Sequence, residues 1–131
     1  MTLTEINWEP FRKEFPILFG VVPPMQLSAG EGWFFLIWDL CASLEAIARQ
    51  QVSDGNPPMR IVQVKEKFGG LRCYLQDATE EARSKTRAAS VQAETICEAC
   101  GRSANYCRSR NGWWKAFCLI HQLEFGYTAW H

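Results

Sequence analysis

Apolar positions in the first half of the chain recur with the spacing of a helix. From Gly32 to about Gln51 they return every three or four residues, which predicts an amphipathic helix. Ser28 and Glu31, just before it, have the spacing of a capping box. Turn-forming residues at 53–58, two prolines among them, end the helix. The predicted buried stripe comprises Trp33, Leu36, Ile37, Leu40, Leu44 and Ile47.

Three aromatic side chains of this helix, Phe34, Phe35 and Trp38, lie off the buried stripe. They make the first turns apolar almost all round, so more than one side of the helix needs cover. The aromatic, proline-rich first thirty residues, predicted as a short helix and an extended segment, are one source of that cover. Without it, the three aromatics form an exposed patch of the kind that binds a protein partner.

Alternating residues at 60–68 and 71–76 predict two strands joined by the pair Gly69-Gly70 as a two-residue turn. That turn pairs Phe68 with Leu71 and Glu66 with Cys73 on an apolar face. A carboxylate there either pairs with an arginine or acts as a functional acid. The opposite face is basic and carries Lys65, Lys67, Arg72 and Tyr74, with Lys65 opposite Tyr74.

A second, polar helix is predicted from a capping box at Asp77 and Glu80 to about Ile96. Its buried stripe is Ala82, Ala89, Ala93 and Ile96. The predicted fold class is therefore α+β, with helices packed on a β-hairpin or small antiparallel sheet. We expect one domain over residues 1–131, in which a body at 1–96 precedes a cysteine-rich module at 97–131.

Two pairs of metal-ligand residues define that module. Cys97-x-x-Cys100 precedes Cys118-x-x-His121, and both gaps of two residues are typical of zinc sites. A turn at Asn111-Gly112 between the pairs predicts a hairpin, which makes a treble-clef or zinc-ribbon-like module. Four protein ligands leave no open position for a water, so the zinc is predicted to be structural.

Other cysteine assignments stay open at this point. Cys107 lies between the two pairs and competes with His121 as the fourth ligand. A thioredoxin-like pair at Cys97 and Cys100 is the alternative to zinc, although that motif belongs to a βαβ setting which the pattern lacks. Cys41 and Cys73 fall on apolar faces and are predicted to be small core residues.

The composition is that of an ordinary globular protein, with 131 residues, 47% hydrophobic and 21% charged. Fourteen basic and fourteen acidic residues cancel, but residues 1–58 hold three basic and seven acidic side chains and residues 59–131 hold eleven and seven. The halves thus carry about −4 and +4 by subtraction, and an anionic partner would meet the second half.

The alternative hypothesis of a nucleic-acid-binding zinc module follows from that asymmetry. Its phosphate-contacting and base-stacking candidates are Lys65, Lys67, Arg72, Tyr74, Arg102, Arg108, Arg110, Trp113, Trp114 and Lys115. Zero net charge favours the simpler interpretation of a solvated face.

Signatures of common enzymes are missing from the sequence, among them nucleophile elbows, Walker loops and HExxH motifs. Histidine, the commonest acid-base catalyst, occurs only at His121 and His131. We therefore expect no enzyme. A small treble-clef hydrolase or nuclease is a third hypothesis, and it needs an open metal position. With no targeting or membrane segment recognisable, a cytoplasmic location is expected, where six cysteines favour metal binding over disulfides.

Five short motifs occur together in the chain. They are Gly32-Trp33, the string Gln-Val-Lys-Glu-Lys-Phe-Gly-Gly-Leu-Arg at 63–72, Cys97-x-x-Cys100-Gly101, Gly112-Trp113 and Cys118-x-x-His121. In this combination the chain resembles a family of small uncharacterised bacterial and phage proteins over about residues 30–121. The resemblance implies zinc but no activity. Our leading hypothesis is a non-enzymatic zinc protein that binds and modulates a protein partner, such as a phage anti-defence inhibitor or an immunity-type protein.

Overall fold

The computed structural model describes residues 3–20 and 22–129, which form helices and two small sheets. The helices are α1 (Glu9–Glu14), α2 (Pro16–Phe19), α3 (Phe34–Ser53), α4 (Glu80–Ala93) and α5 (Leu119–Phe125), with a 3₁₀ turn at Glu31–Trp33. The strands are β1 (Gln26–Ser28), β2 (Arg60–Lys67), β3 (Gly70–Gln76), β4 (Asn105–Ser109), β5 (Trp114–Phe117) and β6 (Tyr127–Ala129). This architecture confirms the α+β class.

The first sheet has the order β1-β2-β3 and is mixed rather than antiparallel. β1 runs parallel to β2, with Leu27 opposite Val64, and this pairing was not predicted. The register between β2 and β3 shifts between Ile61 and Gln63. Because the shift inserts a residue, Ile61 and Val64 are both buried although they are three positions apart.

The hairpin turn lies one residue earlier than predicted. Phe68 and Gly69 occupy it with φ of 53° and 79°, the positive values that a two-residue type I′ turn needs. Consequently Lys67 pairs with Gly70, Glu66 with Leu71 and Lys65 with Arg72, so the predicted register was wrong. Phe68 is removed from the apolar face, and its side chain is 57% exposed.

Helix α3 confirms the predicted stripe. Trp33, Ile37, Leu40 and Leu44 are buried, while Leu36 and Ile47 are half-buried against the same core. The predicted capping box was wrong, because Ser28 belongs to β1 and donates its hydroxyl to Glu5. The 3₁₀ turn leads into the helix instead, and no side chain caps it.

The N-terminal segment covers the aromatic side of α3. Phe34 and Trp38 lie edge-on against the buried ring of Phe11, with centroids 4.9 and 5.0 Å away. Phe35 points elsewhere and is 78% exposed. The buried carboxylate of Glu45 accepts hydrogen bonds from the first backbone N–H groups of α2, which fixes the segment on α3.

Helix α4 closes the body by packing against α3 and β3. Its cap is Thr79, whose hydroxyl accepts from the backbone N–H of Ala82 at 3.1 Å, and not Asp77 as predicted. Ala82, Ala89 and Ala93 are buried as expected, since small side chains allow the helices to approach closely. The helix ends at Ala93, so Ile96 lies in the connection to the cysteine-rich module.

Candidate metal centre

The first ligand pair sits on a tight turn directly after α4. The backbone N–H of Gly101 donates to the Cys97 carbonyl at 2.8 Å, and that of Cys97 donates to the Arg102 carbonyl at 2.7 Å. Gly101 has a φ of 83°, a conformation that glycine adopts without steric cost. This turn directs the thiols of Cys97 and Cys100 to the same side.

The second pair is held by the start of α5. Cys118 is the residue before the helix and His121 lies in its first turn, so the spacing of three residues places both on one face. Between the two pairs, β4 and β5 form the predicted hairpin, and β6 then adds to the other edge of β4. The order of turn, hairpin and helix is typical of a treble clef.

The four candidate ligand atoms all lie within 4.8 Å of one another. Cys118 Sγ is 3.1 Å from His121 Nδ1, Cys97 Sγ is 3.5 Å from the same nitrogen, and Cys100 and Cys118 Sγ are 3.7 Å apart. Tetrahedral zinc with bonds of about 2.0–2.3 Å needs ligand separations of roughly 3.3–3.8 Å. Two of these three separations fall in that range and the third is slightly shorter, so the four side chains lie close enough together to bind a metal ion such as zinc.

The surroundings favour metal binding at two of these ligands. His121 directs Nδ1 into the cluster, and its Nε2 lies 3.6 Å from a carboxylate oxygen of Glu124, which can orient the ring. Burial opposes ionisation of Cys118, but hydrogen bonds from His121 and the neighbouring cysteines outweigh it and lower the pKa of this thiol to about 7. Burial raises the pKa of Cys97 to about 11.

Cys107 lies outside this cluster. Its buried thiol donates to the Lys115 carbonyl at 3.2 Å, and burial raises its pKa to about 11. The geometry thus places His121, not Cys107, beside the three other candidate ligands. Cys41 and Cys73 lie in the body, where burial raises the pKa of Cys73 to about 12.

A chain of charged groups joins the cysteine-rich module to the body. Lys115 Nζ contacts Glu66 at 2.9 Å and the buried Glu98 at 3.2 Å. Burial lowers the pKa of Lys115, but the two carboxylates outweigh it and hold the pKa above the ordinary value. Glu66 was expected to pair with an arginine. Its partner is a lysine 49 positions away, which no local pattern could indicate.

The backbone of the ligand turn also rests directly on the 3₁₀ turn that leads into α3. Gly32 donates its N–H to the Glu98 carbonyl at 2.8 Å, and the Trp33 indole N–H donates to the Ile96 carbonyl at 2.9 Å. Glu98 in turn accepts from the backbone N–H of Gly30 at 3.0 Å. Sequence analysis missed Glu98, although it stands between two predicted ligands, because a buried glutamate there has no signature.

The predicted partner-binding residues lie on several surfaces. Lys67, Arg108 and Arg110 are exposed, Trp113 and Tyr74 are 65% and 45% exposed, and Lys65 and Arg72 are half-buried. Of the α3 aromatics, only Phe35 is mainly exposed. The three residues expected to form one apolar patch are therefore divided between the core and the surface.

Comparison of the chain with protein-family models, curated proteins and solved structures finds no match. Among the helices of the described residues, none combines the length and apolar character needed to cross a membrane. Evidence for function therefore comes from the site geometry and the exposed surfaces.

Proposed function

We propose that this protein is a non-enzymatic zinc protein whose metal stabilises the fold and which acts by binding a protein partner. The observation that carries the proposal is the cluster of Cys97, Cys100, Cys118 and His121. Three thiolates and an imidazole are a donor set that zinc prefers, and four protein ligands complete its tetrahedron. A closed site gives no place for an activated water, which disfavours the hydrolase hypothesis.

A structural role suits the small core of the module. Its buried cluster consists of Cys97, Cys107, Phe117 and Cys118, so two of the four members are themselves candidate ligands. Zinc in such a module contributes on the order of 10 kcal/mol to folding, far more than one buried aromatic side chain supplies. The metal would thereby hold the turn, hairpin and α5 together.

The protein partner is assigned to the outer side of α5. Leu119, Ile120 and Leu123 are 68%, 58% and 76% exposed, and their spacing places them on one side of the helix. An apolar surface of this kind, with Glu124 as the charged side chain beside it, suits an apolar protein surface and not a polyanion. The resemblance to bacterial and phage proteins suggests two kinds of partner. The protein would either inhibit a defence protein or neutralise a toxin.

Metal content tests the first half of the proposal. Purified protein should contain one zinc per chain, and a strong chelator should abolish the ellipticity of the module. Cys100→Ser should lose the metal, whereas Cys107→Ser, the matched variant in the same module, should retain it. Full zinc content in Cys100→Ser would refute the assigned ligand set.

Partner capture tests the second half. The zinc-loaded, tagged protein should retain a bacterial protein from a lysate treated with nuclease, and Leu123→Asp should lose it. Val91→Asp is the control, because Val91 is similarly exposed, at 67%, on α4. Equal capture by both variants would remove α5 as the binding surface.

A further inference from the structure

A series of aromatic and basic residues, joined at one point through a backbone carbonyl, crosses from the body hairpin to the second sheet. Lys67 Nζ lies 5.5 Å from the centre of the Phe68 ring, and the Phe68 carbonyl accepts a hydrogen bond from the Tyr106 hydroxyl. Tyr106 stacks on Trp114 with centroids 4.9 Å apart, and the Arg108 guanidinium lies 5.4 Å from the Trp114 ring centre. We call these five residues the cation–aromatic strip.

The strip lies on the opposite side of the second sheet from α5. Residues alternate between the two faces of a strand, so Tyr106 and Arg108 share one face of β4. Phe117 and Tyr127 lie on the other face, where both rings contact each other and Phe117 stacks on Phe125 of α5. A ligand on the strip would therefore leave the apolar side of α5 free.

The cations of this surface are not neutralised. Lys67, Arg108 and Arg110 form no ion pair with any residue at 3–20 or 22–129, in contrast to Arg83 and Arg87 on α4, which both bind Glu80. No acidic residue occurs between Glu98 and Glu124. The surface therefore attracts anions even though the net charge of the chain is zero.

Phe68 stands in a conformation that does not favour its own side chain. Its φ of 53° is rare for a bulky residue, and the turn position normally holds asparagine, aspartate or glycine. Burial does not explain why a phenylalanine occupies this position, because 57% of the residue is exposed. Strained backbone positions concentrate at functional sites, which favours a functional role for this exposed turn residue.

The hairpin tip adds a recess and a second exposed ring. A cavity of about 350 Å³ is lined by Arg108, Ser109, Arg110 and Thr128, together with Gly126 and Ala129. The two guanidinium groups and the Ser109 hydroxyl can donate hydrogen bonds to a phosphate, whereas the Thr128 hydroxyl donates to the Arg108 carbonyl at 3.5 Å. Trp113 at the same tip is 65% exposed.

We propose that the cation–aromatic strip and the hairpin tip bind a single-stranded nucleic acid. Lys67 and the two arginines would contact its phosphates, and its unpaired bases would stack on the rings of Phe68 and Trp113. A single strand is favoured over a duplex because paired bases do not offer their faces to such rings. This inference goes beyond the proposed function and uses a different surface.

Fluorescence anisotropy of zinc-loaded protein with labelled oligothymidine and oligouridine of about 15 nucleotides tests the inference. We expect micromolar binding, with a slope of log K against log salt of about −2 for three cation–phosphate contacts on a single strand. Trp113→Ala and Phe68→Asn should each weaken binding about 5- to 150-fold, the range measured for lost base stacking. Arg110→Gln should reduce the slope by about 0.7.

Matched controls are Phe35→Ala for an exposed ring and Arg83→Gln for an exposed arginine, and neither should change binding. Zinc content and circular dichroism of each variant are measured in parallel, so failure of the metal centre is distinguished from failure of nucleic-acid binding. The inference is overturned by three results: no binding of either oligonucleotide at low salt, equal affinity for duplex, or equal losses in the control variants. Loss of a captured protein in the strip variants, without oligonucleotide binding, would assign the strip to a protein and also overturn it.

Discussion

Replacing Gly32 with alanine should uncouple the metal centre from the body. A Cβ at this position would lie 2.1 Å from the Cys97 carbonyl oxygen and 2.6 Å from the carbonyl carbon and oxygen of Glu98. All these atoms belong to backbone, so rotation of a side chain cannot relieve the overlap. To reach a normal contact of about 3.5 Å, the ligand turn must move away from Gly32 by roughly 1.5 Å.

The cost has two parts. Overpacking of this kind destabilises by about 1–3 kcal/mol. Displacement also weakens two hydrogen bonds. The bond from the Gly32 N–H to the Glu98 carbonyl contributes about 1 kcal/mol. The buried bond from the Gly30 N–H to the Glu98 carboxylate contributes about 1.5–3 kcal/mol. If both hydrogen bonds are lost, we expect a total loss of about 3.5–7 kcal/mol in the free energy of unfolding, and weaker zinc binding because one ligand pair is displaced.

Urea unfolding of the zinc-loaded protein and competition with a chromophoric chelator measure the two effects. Gly126→Ala is the control, since Gly126 has a φ of 79° and a Cβ there would meet no atom of the described residues within 4 Å. The Gly126→Ala variant isolates the free-energy cost of placing an alanine in the left-handed backbone conformation, roughly 1–2 kcal/mol. If Gly32→Ala were no more destabilising than this control, the contact between α3 and the ligand turn would be wrong.

Three further changes test other parts of the structure. Lys115→Met should lower the free energy of unfolding in urea by about 3–5 kcal/mol, because it leaves Glu98 buried without its cation. The control Arg87→Met, at an exposed ion pair on α4, should lower it by under about 1 kcal/mol. Equal losses in the two variants would contradict the buried network. Glu124→Gln should weaken zinc affinity at least about tenfold in chelator competition if this carboxylate orients His121, and unchanged affinity would exclude that role. Thr79→Ala should lower the free energy of unfolding by about 1 kcal/mol, because it removes the side-chain cap of α4. Asp77→Ala leaves that cap intact and should not cause this loss.

Features set by neighbouring residues were predictable from sequence. The stripe of α3 follows from apolar spacing, and the ligand pairs follow from the short gap between Cys97 and Cys100 and between Cys118 and His121. In each case the residues that decide the structure lie within about one helical turn or one tight loop of each other.

The error in the hairpin register arose where distant parts of the chain compete. The hairpin turn was centred on Gly69-Gly70 because glycine favours positive φ, but Phe68 takes one of the two positions and its carbonyl is bound by Tyr106. A Cβ on Gly69 would lie 2.7 Å from the Tyr106 ring and 3.0 Å from the Lys115 backbone. That close approach of the second sheet to the turn is not visible in the local sequence.

Three of the separated motifs that carry the resemblance meet at one junction. Gly32 and Trp33 bind the backbone of Glu98 and Ile96, and Lys115 connects Glu98 to Glu66 in the hairpin string. These contacts join two sheets and the ligand turn. These three motifs therefore have a structural explanation, because their contacts hold the ligand turn against the body. We propose that binding uses the surfaces around this junction, the strip on one side of the second sheet and α5 on the other.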